Sequence, residues 1–443
     1  GMLVADPFAG FVRTVVLAAA LVTVLVTRVT GLPDAEDSGD FYCLLLGGTL
    51  GMLLMAAADH LLMVFIAVEM ASLPSYALAG FLKGRRTGGE AALKYVVFGA
   101  GASGVMLYGI SLTAGTFGSG YLPDLATGVA ARLAAHGGFD PLLLAGLVLT
   151  LVGLGFKLAA VPFHFWCPDV FAGAAAEVAG FLSVASKAAA VGLTARLLYS
   201  LHAAVPDPWL VPRTLGVGVG VVGAVTVTFG NLAAFAQTDL KRLLAYSTIA
   251  HAGYMLLGLA ALSLGAASAV LYYLAAYLLM NLGAFAVVAL VRNATGAEDV
   301  GAFRGLAGRA PVAAVAMAVF LFSLLGFPPL AGFAGKFQVF AAVYEAARMA
   351  PGWLGTTFYV FLAVGAANTA VSAVYYLKVV RAMVLEEADG PPAAAPGLAA
   401  NAVLAALAAG VVALGVVWNP LTAAADGAAA AIARPGPTGV VTR

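Results

Sequence analysis

The sequence predicts an all-α, polytopic membrane protein, a bundle of about twelve transmembrane helices in two inverted five-helix repeats, each with a broken helix. Three observations support this prediction. The 443 residues are 63% hydrophobic and only 10% charged, whereas soluble domains carry about 25% charged residues. Apolar runs long enough to cross a bilayer recur along the whole chain. Proline and lysine interrupt two of these runs.

The hydrophobic segments, in chain order, define the predicted helices. The fifth and tenth are interrupted, at 162–168 and at "GFPPLAGF" (326–333). The connection at 119–140 is predicted to be a loop, and the Ala/Gly/Pro-rich tail from Asn419 to be loosely ordered. The twelve segments lie at approximately 8–27, 41–58, 61–82, 94–118, 141–162, 175–200, 211–236, 241–262, 268–291, 311–347, 354–378 and 397–418.

Composition also excludes several classes of protein. A net charge of +1 with scattered basic residues gives no electrostatic footprint for nucleic acid. Cys43 and Cys167 lie far apart without a CxxC motif, so neither an iron–sulfur cluster nor a zinc site is expected. No nucleotide-binding glycine motif stands between a strand and a helix. The chain is therefore predicted to hold no cofactor and no metal.

The distribution of Lys and Arg predicts the orientation in the membrane. Basic residues are concentrated in the loops after the odd-numbered segments, which places those loops on the cytoplasmic side by the positive-inside rule. Both ends of the chain should then lie on the opposite side of the bacterial inner membrane. The basic residues of these loops include Lys83, Arg85, Arg86, Lys241, Arg242, Arg292, Arg304, Arg309, Lys378 and Arg381.

A shift of about 180 residues brings several features of the chain into register. Each repeat unit spans five segments, and because five is odd the two units must cross the membrane in opposite directions. The predicted organisation is an N-terminal helix and loop (1–40), a first repeat (41–200), a second repeat (201–385), and a C-terminal helix and tail (386–443). The matching pairs are Asp59 with Asp239, Glu69 with His251, and Lys157 with Lys336.

The prolines at the two interruptions free backbone carbonyls. Pro162 has no N–H for the carbonyl of Leu158, and the "PP" pair at 328–329 frees the carbonyls of Leu324 and Leu325. Unwound backbone at membrane depth persists only where it is buried in protein or lines a wet cavity. A lysine close to such a break finds carbonyls and water there. It is therefore a candidate for taking up and releasing a proton.

Ionisable residues inside predicted membrane segments are the candidate functional residues, because they are costly there. The competing interpretations are that the lysines extend to an interface and that His251 only bonds a neighbouring helix. His164 is equally well interpreted as an interfacial residue, and Tyr246 and Tyr254 are interpreted as packing residues. The candidate residues are Glu69, Lys157, Lys187, His251 and Lys336.

Four stretches resemble the antiporter-like membrane subunits of respiratory complex I, the NADH-quinone oxidoreductase: "FKLAAVPFHFWCPDVF", "FLSVASKAAAV", "TDLKRLLAYSTIAHAGYMLLGL" and "GFPPLAGFAGKFQVF". With Lys336 at this position, the sequence is similar to the N-type subunits of the family rather than to the M-type subunits, which carry a glutamate there. The resemblance implies that Glu69 and Lys157 form a glutamate–lysine pair. It further implies that Lys187 connects this pair to His251 and Lys336.

The resemblance also implies partners, and the sequence departs from the usual pattern of the family in two places. Other membrane-arm subunits, the lipid bilayer and protons are the expected partners, while NADH, FMN, iron–sulfur clusters and quinone are expected in other subunits. The stretch "AGAAAEVAG" replaces a Gly-Ala-Pro-like turn and introduces Glu177. Members of the family usually have fourteen helices, so two are expected before the segment with which this sequence begins. A subunit of a cation/proton antiporter and a non-pumping scaffold subunit remain alternatives.

Overall fold

The computed structural model describes residues 1–32, 36–136, 140–387 and 396–432, and its regular secondary structure in these ranges is helical. The helices of the first half are α1 (Pro7–Thr30), α2 (Ser38–Ala57), α3 (Leu61–Ala79), α4 (Arg86–Phe117), α5 (Leu122–His136), α6 (Pro141–Leu158), α7 (Trp166–Gly173) and α8 (Ala176–Ala204). Those of the second half are α9 (Pro212–Ala234), α10 (Leu240–Ala260), α11 (Leu264–Thr295), α12 (Leu306–Arg309), α13 (Pro311–Leu325), α14 (Ala331–Met349), α15 (Trp353–Leu385), α16 (Leu398–Val416) and α17 (Asn419–Ile432).

The predicted membrane segments are confirmed. Within the described ranges, 11 helices are long and apolar enough to cross a membrane. The remaining predicted segment, the tenth, consists of α13 and α14, which are separated by the break at 326–330. The first repeat comprises α2, α3, α4, the broken pair α6–α7, and α8. The second comprises α9, α10, α11, the broken pair α13–α14, and α15.

Helix starts follow from local sequence. Asp6 and Asp140 each precede a proline, and each carboxylate accepts a hydrogen bond from a backbone N–H in the first turn, at 2.7 and 2.9 Å. Such caps satisfy donors that have no partner within the helix, and proline at the first position is already set to helical geometry. Asp239 caps α10 in the same way. Polar residues between the apolar runs therefore fix where membrane helices begin.

Two connections differ from the prediction. The stretch 119–140 contains α5, because Leu122, Leu125 and Val129 recur at helical spacing and are buried. The tail from Asn419 forms α17, where Asp426 accepts a hydrogen bond of 2.5 Å from Ser268 on α11. Residues 433–443 lie outside the described residues.

Burial is uneven among the membrane helices. In their most apolar windows, α8, α10 and α11 are 100%, 94% and 89% buried, whereas α4 and α15 are each 33% buried. The three central helices therefore form the axis of the bundle. They carry Lys187 and His251, which places both candidates in the interior.

The two broken helices are not superimposable around their lysines. Lys157 is the second-last residue of α6, before its break, whereas Lys336 is the sixth residue of α14, after its break. The two breaks were expected at matching positions of the repeats. This is wrong in detail, because the lysine precedes the break in the first repeat and follows it in the second. The cause is the placement of the prolines, which follow Lys157 but precede Lys336 in the sequence.

Candidate functional site

The first break is completed by Lys187 and by α9. Leu158 ends α6, and Ala159 takes left-handed backbone angles with φ of 53°. The Lys187 ammonium donates to the Leu158 carbonyl at 2.5 Å, and the Val161 N–H donates to Thr226 Oγ1 at 3.0 Å. The carbonyl that Pro162 was predicted to free therefore binds a lysine. That lysine is Lys187, not the adjacent Lys157.

The second break holds its own lysine. Lys336 Nζ donates to the carbonyls of Leu324 and Leu325, both at 3.0 Å, and these are the two carbonyls predicted to be freed. The ammonium also lies 4.4 Å from the centre of the Tyr254 ring, an attractive cation–π arrangement. Lys336 is 3% exposed. It therefore does not extend to an interface but ends inside the bundle.

Lys157 and Glu69 have different environments. Lys157 is 2% exposed, and its Nζ makes no hydrogen bond to any described residue. The centre of the Tyr76 ring lies 6.0 Å from this Nζ atom. Glu69 is half-buried between α3 and α4 and accepts a hydrogen bond from Ser103. The expected pairing of Glu69 with Lys157 stays a prediction.

His251 lies at the centre of a group of hydroxyl groups. Its Nδ1 is 2.5 Å from the Tyr273 hydroxyl, and its Nε2 is 3.3 Å from the Tyr376 hydroxyl. Tyr376 is bonded in turn to Ser247 at 2.5 Å. A neutral imidazole has one donor and one acceptor nitrogen, so it can receive a proton on one side and release one on the other.

The two lysines that occupy the breaks and the buried polar side chains around His251 are called the belt below. On the Lys187 side, Tyr277 packs with its ring 5.1 Å from that of His251 and donates to Thr248 at 2.9 Å. On the other side, Tyr273 packs against Gly335, next to Lys336, where a side chain on the glycine would overlap the ring. A π-helical turn at 182–186 immediately precedes Lys187, and such turns are frequent at functional sites.

The sequence missed the tyrosines of this belt. Tyr254 was assigned to packing, and Tyr273 and Tyr376 were not singled out, yet all three contact His251 or Lys336. A tyrosine in an apolar segment carries no signal of which way its hydroxyl points. By contrast, Tyr246 packs against Phe229 as predicted. His164 is buried against the Phe165 and Phe229 rings.

Charged pairs lie near the ends of the bundle. The extra Glu177 is buried and accepts two hydrogen bonds from Arg292, at 3.2 and 3.0 Å, which explains how it is tolerated. At the opposite end, Arg196 on α8 donates to Asp6 at 2.8 and 3.0 Å. Burial raises the pKa of Asp6, but the hydrogen bonds from Arg196 and the Ala9 N–H outweigh it, so the pKa lies below its ordinary value.

The described residues contain no group of three or more His, Cys, Asp and Glu side chains that could hold a metal ion. Their ionisable groups are instead distributed along the belt and at the helix ends. Such an arrangement suits the movement of protons or charge between sites.

Comparison with known proteins identifies the fold. The family described as "NADH:quinone oxidoreductase/Mrp antiporter, TM" matches residues 58–363. NADH-quinone oxidoreductase subunit N of Anaeromyxobacter sp. (strain Fw109-5) is 43% identical over 438 residues, which are 95% of this chain and 83% of that protein. This chain belongs to the antiporter-like membrane-subunit family of the NADH-quinone oxidoreductases and Mrp antiporters.

Solved structures of this family have the same fold. A chain of respiratory complex I from Thermus thermophilus with bound aureothin is 36% identical, with a TM-score of 0.77 over 96% of this chain and 87% of that chain. A chain of the Mrp complex from Dietzia sp. DQ12-45-1b has a TM-score of 0.83 over 98% and 85% at 23% identity, which shows the fold alone. The chain is thus an antiporter-like, multi-pass subunit of the bacterial inner-membrane type.

Proposed function

We propose that this chain is a proton-translocating membrane-arm subunit of an NADH-quinone oxidoreductase. Electron transfer from NADH to quinone would occur in other subunits, which would hold the NADH, FMN, iron–sulfur and quinone sites. The observation that carries the proposal is the burial of Lys187, His251 and Lys336 inside the bundle, with hydroxyl groups around His251. Both lysines of this belt bind carbonyls freed by helix breaks.

The belt supplies the groups that a proton relay needs. An ammonium that is held by hydrogen bonds to carbonyls can transfer one N–H proton to a neighbouring acceptor and remain in place as a neutral amine. The tyrosine hydroxyls and the imidazole each accept a hydrogen bond or proton on one atom and donate one from the same or another atom. In the proposed direction a proton passes from Lys187 through the hydroxyl groups around Tyr277 to His251. It continues through Tyr273 to Lys336 and leaves on the opposite side.

Glu69 and Lys157 form the proposed input to this relay. Lys157 directly precedes Leu158, whose carbonyl holds Lys187. A carboxylate brought to Lys157 would stabilise its ammonium form, and withdrawal of that carboxylate would favour release of a proton toward Lys187. Glu69 is the nearest candidate on α3, where its present partner is the neutral Ser103.

Two alternatives have less support. A role in a cation/proton antiporter is compatible with the fold, but identity is 36% to the complex I chain against 23% to the Mrp chain. A scaffold without pumping activity is disfavoured because Lys157, Lys187 and Lys336 are each buried to 2–3% exposure. Burying an ammonium costs several kcal/mol, so a purely structural helix would be more stable without it.

The proposal is tested with Lys336→Ala in the assembled complex reconstituted into liposomes. NADH oxidation and proton movement are measured together, and the expected result is fewer protons per NADH with quinone reduction retained. Lys83→Ala, at an exposed lysine on the α3–α4 connection, is the control and should keep the full ratio. A full ratio in Lys336→Ala would show that Lys336 has only a structural role.

A further inference from the structure

A second set of buried polar side chains lies between α9 and α15, and the relay described above does not use it. Asn231, Asn368 and Tyr375 are 0%, 6% and 1% exposed. Tyr375 donates to Asn231 Oδ1 at 2.9 Å, Asn231 donates to Asn368 Oδ1 at 3.2 Å, and Asn368 donates to Thr228 Oγ1 at 3.0 Å. These four residues are called the asparagine cluster below.

The inner end of the asparagine cluster reaches the relay by two contacts. Thr369, which follows Asn368 on α15, bonds the Tyr254 hydroxyl at 3.2 Å, and the Tyr254 ring faces Lys336. The Tyr375 ring packs against Tyr376, with centroids 4.3 Å apart, and the Tyr376 hydroxyl lies beside His251. The cluster is thus connected through Tyr254 and Tyr376 to the two proposed relay residues of the second repeat, Lys336 and His251.

The outer end of the asparagine cluster lies close to one membrane surface. Tyr375 is three residues from Lys378, about 4.5 Å along the helix axis. Lys378 is exposed and donates to the carbonyl of Gln237, just beyond the end of α9, at 3.1 Å. This end of α9 carries the loop that the positive-inside rule assigns to the cytoplasm. The half-buried Phe235 ring lies 6.2 Å from the Tyr375 ring at this end.

The first repeat has no polar side chains at the corresponding positions of its first helix. The shift of 180 residues places Gly51 at the position of Asn231 and Gly48 at that of Thr228. Gly51 packs on the α3 backbone at Ala71, whereas Asn231 bonds Asn368 and Tyr375 on α15. The amide and hydroxyl that α9 contributes to the asparagine cluster therefore have no counterpart on α2.

We propose that the asparagine cluster is a proton-uptake branch, which leads from the surface at Gln237 and Lys378 to Tyr254, His251 and Lys336. The branch rests on the proposed proton translocation, and it gives the second repeat its own supply from the side of the Lys/Arg-rich loops. In this branch the Tyr375 hydroxyl receives a proton on its oxygen and passes its own hydroxyl proton to a water molecule, which carries it on toward Tyr254. The two asparagine amides do not take up the proton, because an amide oxygen is a very weak base; they orient the water by hydrogen bonds.

The test compares two single hydroxyl deletions with a loss of the relay lysine. Tyr375→Phe removes the group that bonds Asn231 and keeps the ring. Tyr272→Phe is the matched control, because its hydroxyl is also on a buried tyrosine but donates to the Leu414 carbonyl on α16 rather than to a side chain of the relay or of the asparagine cluster. Lys336→Met reports on the proposed function itself. Each assembled complex is reconstituted, and protons moved per NADH oxidised are measured.

The expected result is a loss of protons per NADH in Tyr375→Phe and Lys336→Met, with the full ratio in Tyr272→Phe. The loss in Tyr375→Phe should deepen as the pH on the uptake side is raised, since fewer protons then reach the branch. A full ratio in Tyr375→Phe beside a reduced one in Lys336→Met overturns the branch alone. Full ratios in both overturn the branch and the proposed function together.

A second variant separates uptake from helix adhesion. Polar side chains between membrane helices also serve as interhelical bonds. Thr369→Val has nearly the same shape and breaks the link to Tyr254 while leaving the bonds among the asparagine cluster in place. A lower proton ratio at unchanged assembly supports the branch. Reduced assembly of Tyr375→Phe, together with a full ratio per assembled complex in both variants, assigns the cluster to adhesion.

Discussion

The three buried lysines should differ in how much their removal destabilises the bundle. Replacement of each lysine by Met removes a buried ammonium from a site of 2–3% exposure. The stability gained by removing the buried charge is therefore nearly the same in all three variants. The carbonyls left without a donor differ: none for Lys157, one for Lys187, and two for Lys336. The structure therefore predicts an order of stability among the three variants.

The size of the difference follows from the cost of an unsatisfied buried acceptor, about 1–3 kcal/mol each. Lys187→Met leaves one carbonyl without a donor and should be less stable than Lys157→Met by about 1–3 kcal/mol. Lys336→Met leaves two and should be less stable than Lys157→Met by about 2–6 kcal/mol. Lys157→Met should be as stable as the natural chain or more stable, because it leaves no carbonyl unpaired and removes a charge without a hydrogen bond.

The chain contains a reporter for this measurement. Cys167 is buried at the start of α7, so its thiol becomes reactive when the first broken helix unfolds. The assembled complexes are heated in steps, treated briefly with N-ethylmaleimide, and analysed by mass spectrometry of the Cys167 peptide. Cys167 does not report on the second repeat. Unfolding there is followed on native gels, as loss of the chain from the complex. A Lys336→Met complex that resists heat as well as Lys157→Met would refute the reasoning from freed carbonyls.

Two further predictions concern orientation and coupling. Single cysteines placed at 83–86 or at 304–309, in a background without the natural cysteines, should resist a membrane-impermeant thiol reagent added to intact cells; labelling of either would reverse the assigned orientation. If Glu69 and Lys157 pair in one state of the pump, Glu69→Gln should reduce pumping and assembly, and addition of Lys157→Met should recover assembly without pumping. Strictly additive effects in this double-mutant cycle would show that the two residues act independently.

The sequence was sufficient for the helices and for the chemistry of the breaks. Hydropathy placed every membrane segment, because the bilayer demands long apolar runs. Proline identity placed the freed carbonyls of Leu158, Leu324 and Leu325, because the missing N–H is a covalent property. These inferences depend on neighbours in the chain, so no tertiary information was needed.

Contacts between distant segments were less predictable. Lys187 binds the carbonyl of Leu158 across 29 residues, and the sequence could not show that it, rather than Lys157, would reach that atom. The hydroxyls of Tyr273 and Tyr376 meet at His251 from α11 and α15. Such convergence is set by helix rotation and crossing, to which a uniformly apolar segment gives no clue. The helix α5 was missed for a simpler reason: its apolar positions are too few to resemble a membrane span.

The partners of Lys187 and Lys336 are main-chain atoms, and this has a consequence for how the site can change over evolution. No substitution of a neighbouring side chain deletes a carbonyl, so a survey that truncates side chains one at a time would find no side chain that accepts a hydrogen bond from either lysine. The positions that control the acceptors are the prolines, Pro162 and the pair at 328–329. The surrounding apolar residues can therefore be substituted during evolution, and the two ammonium sites persist as long as the prolines are kept.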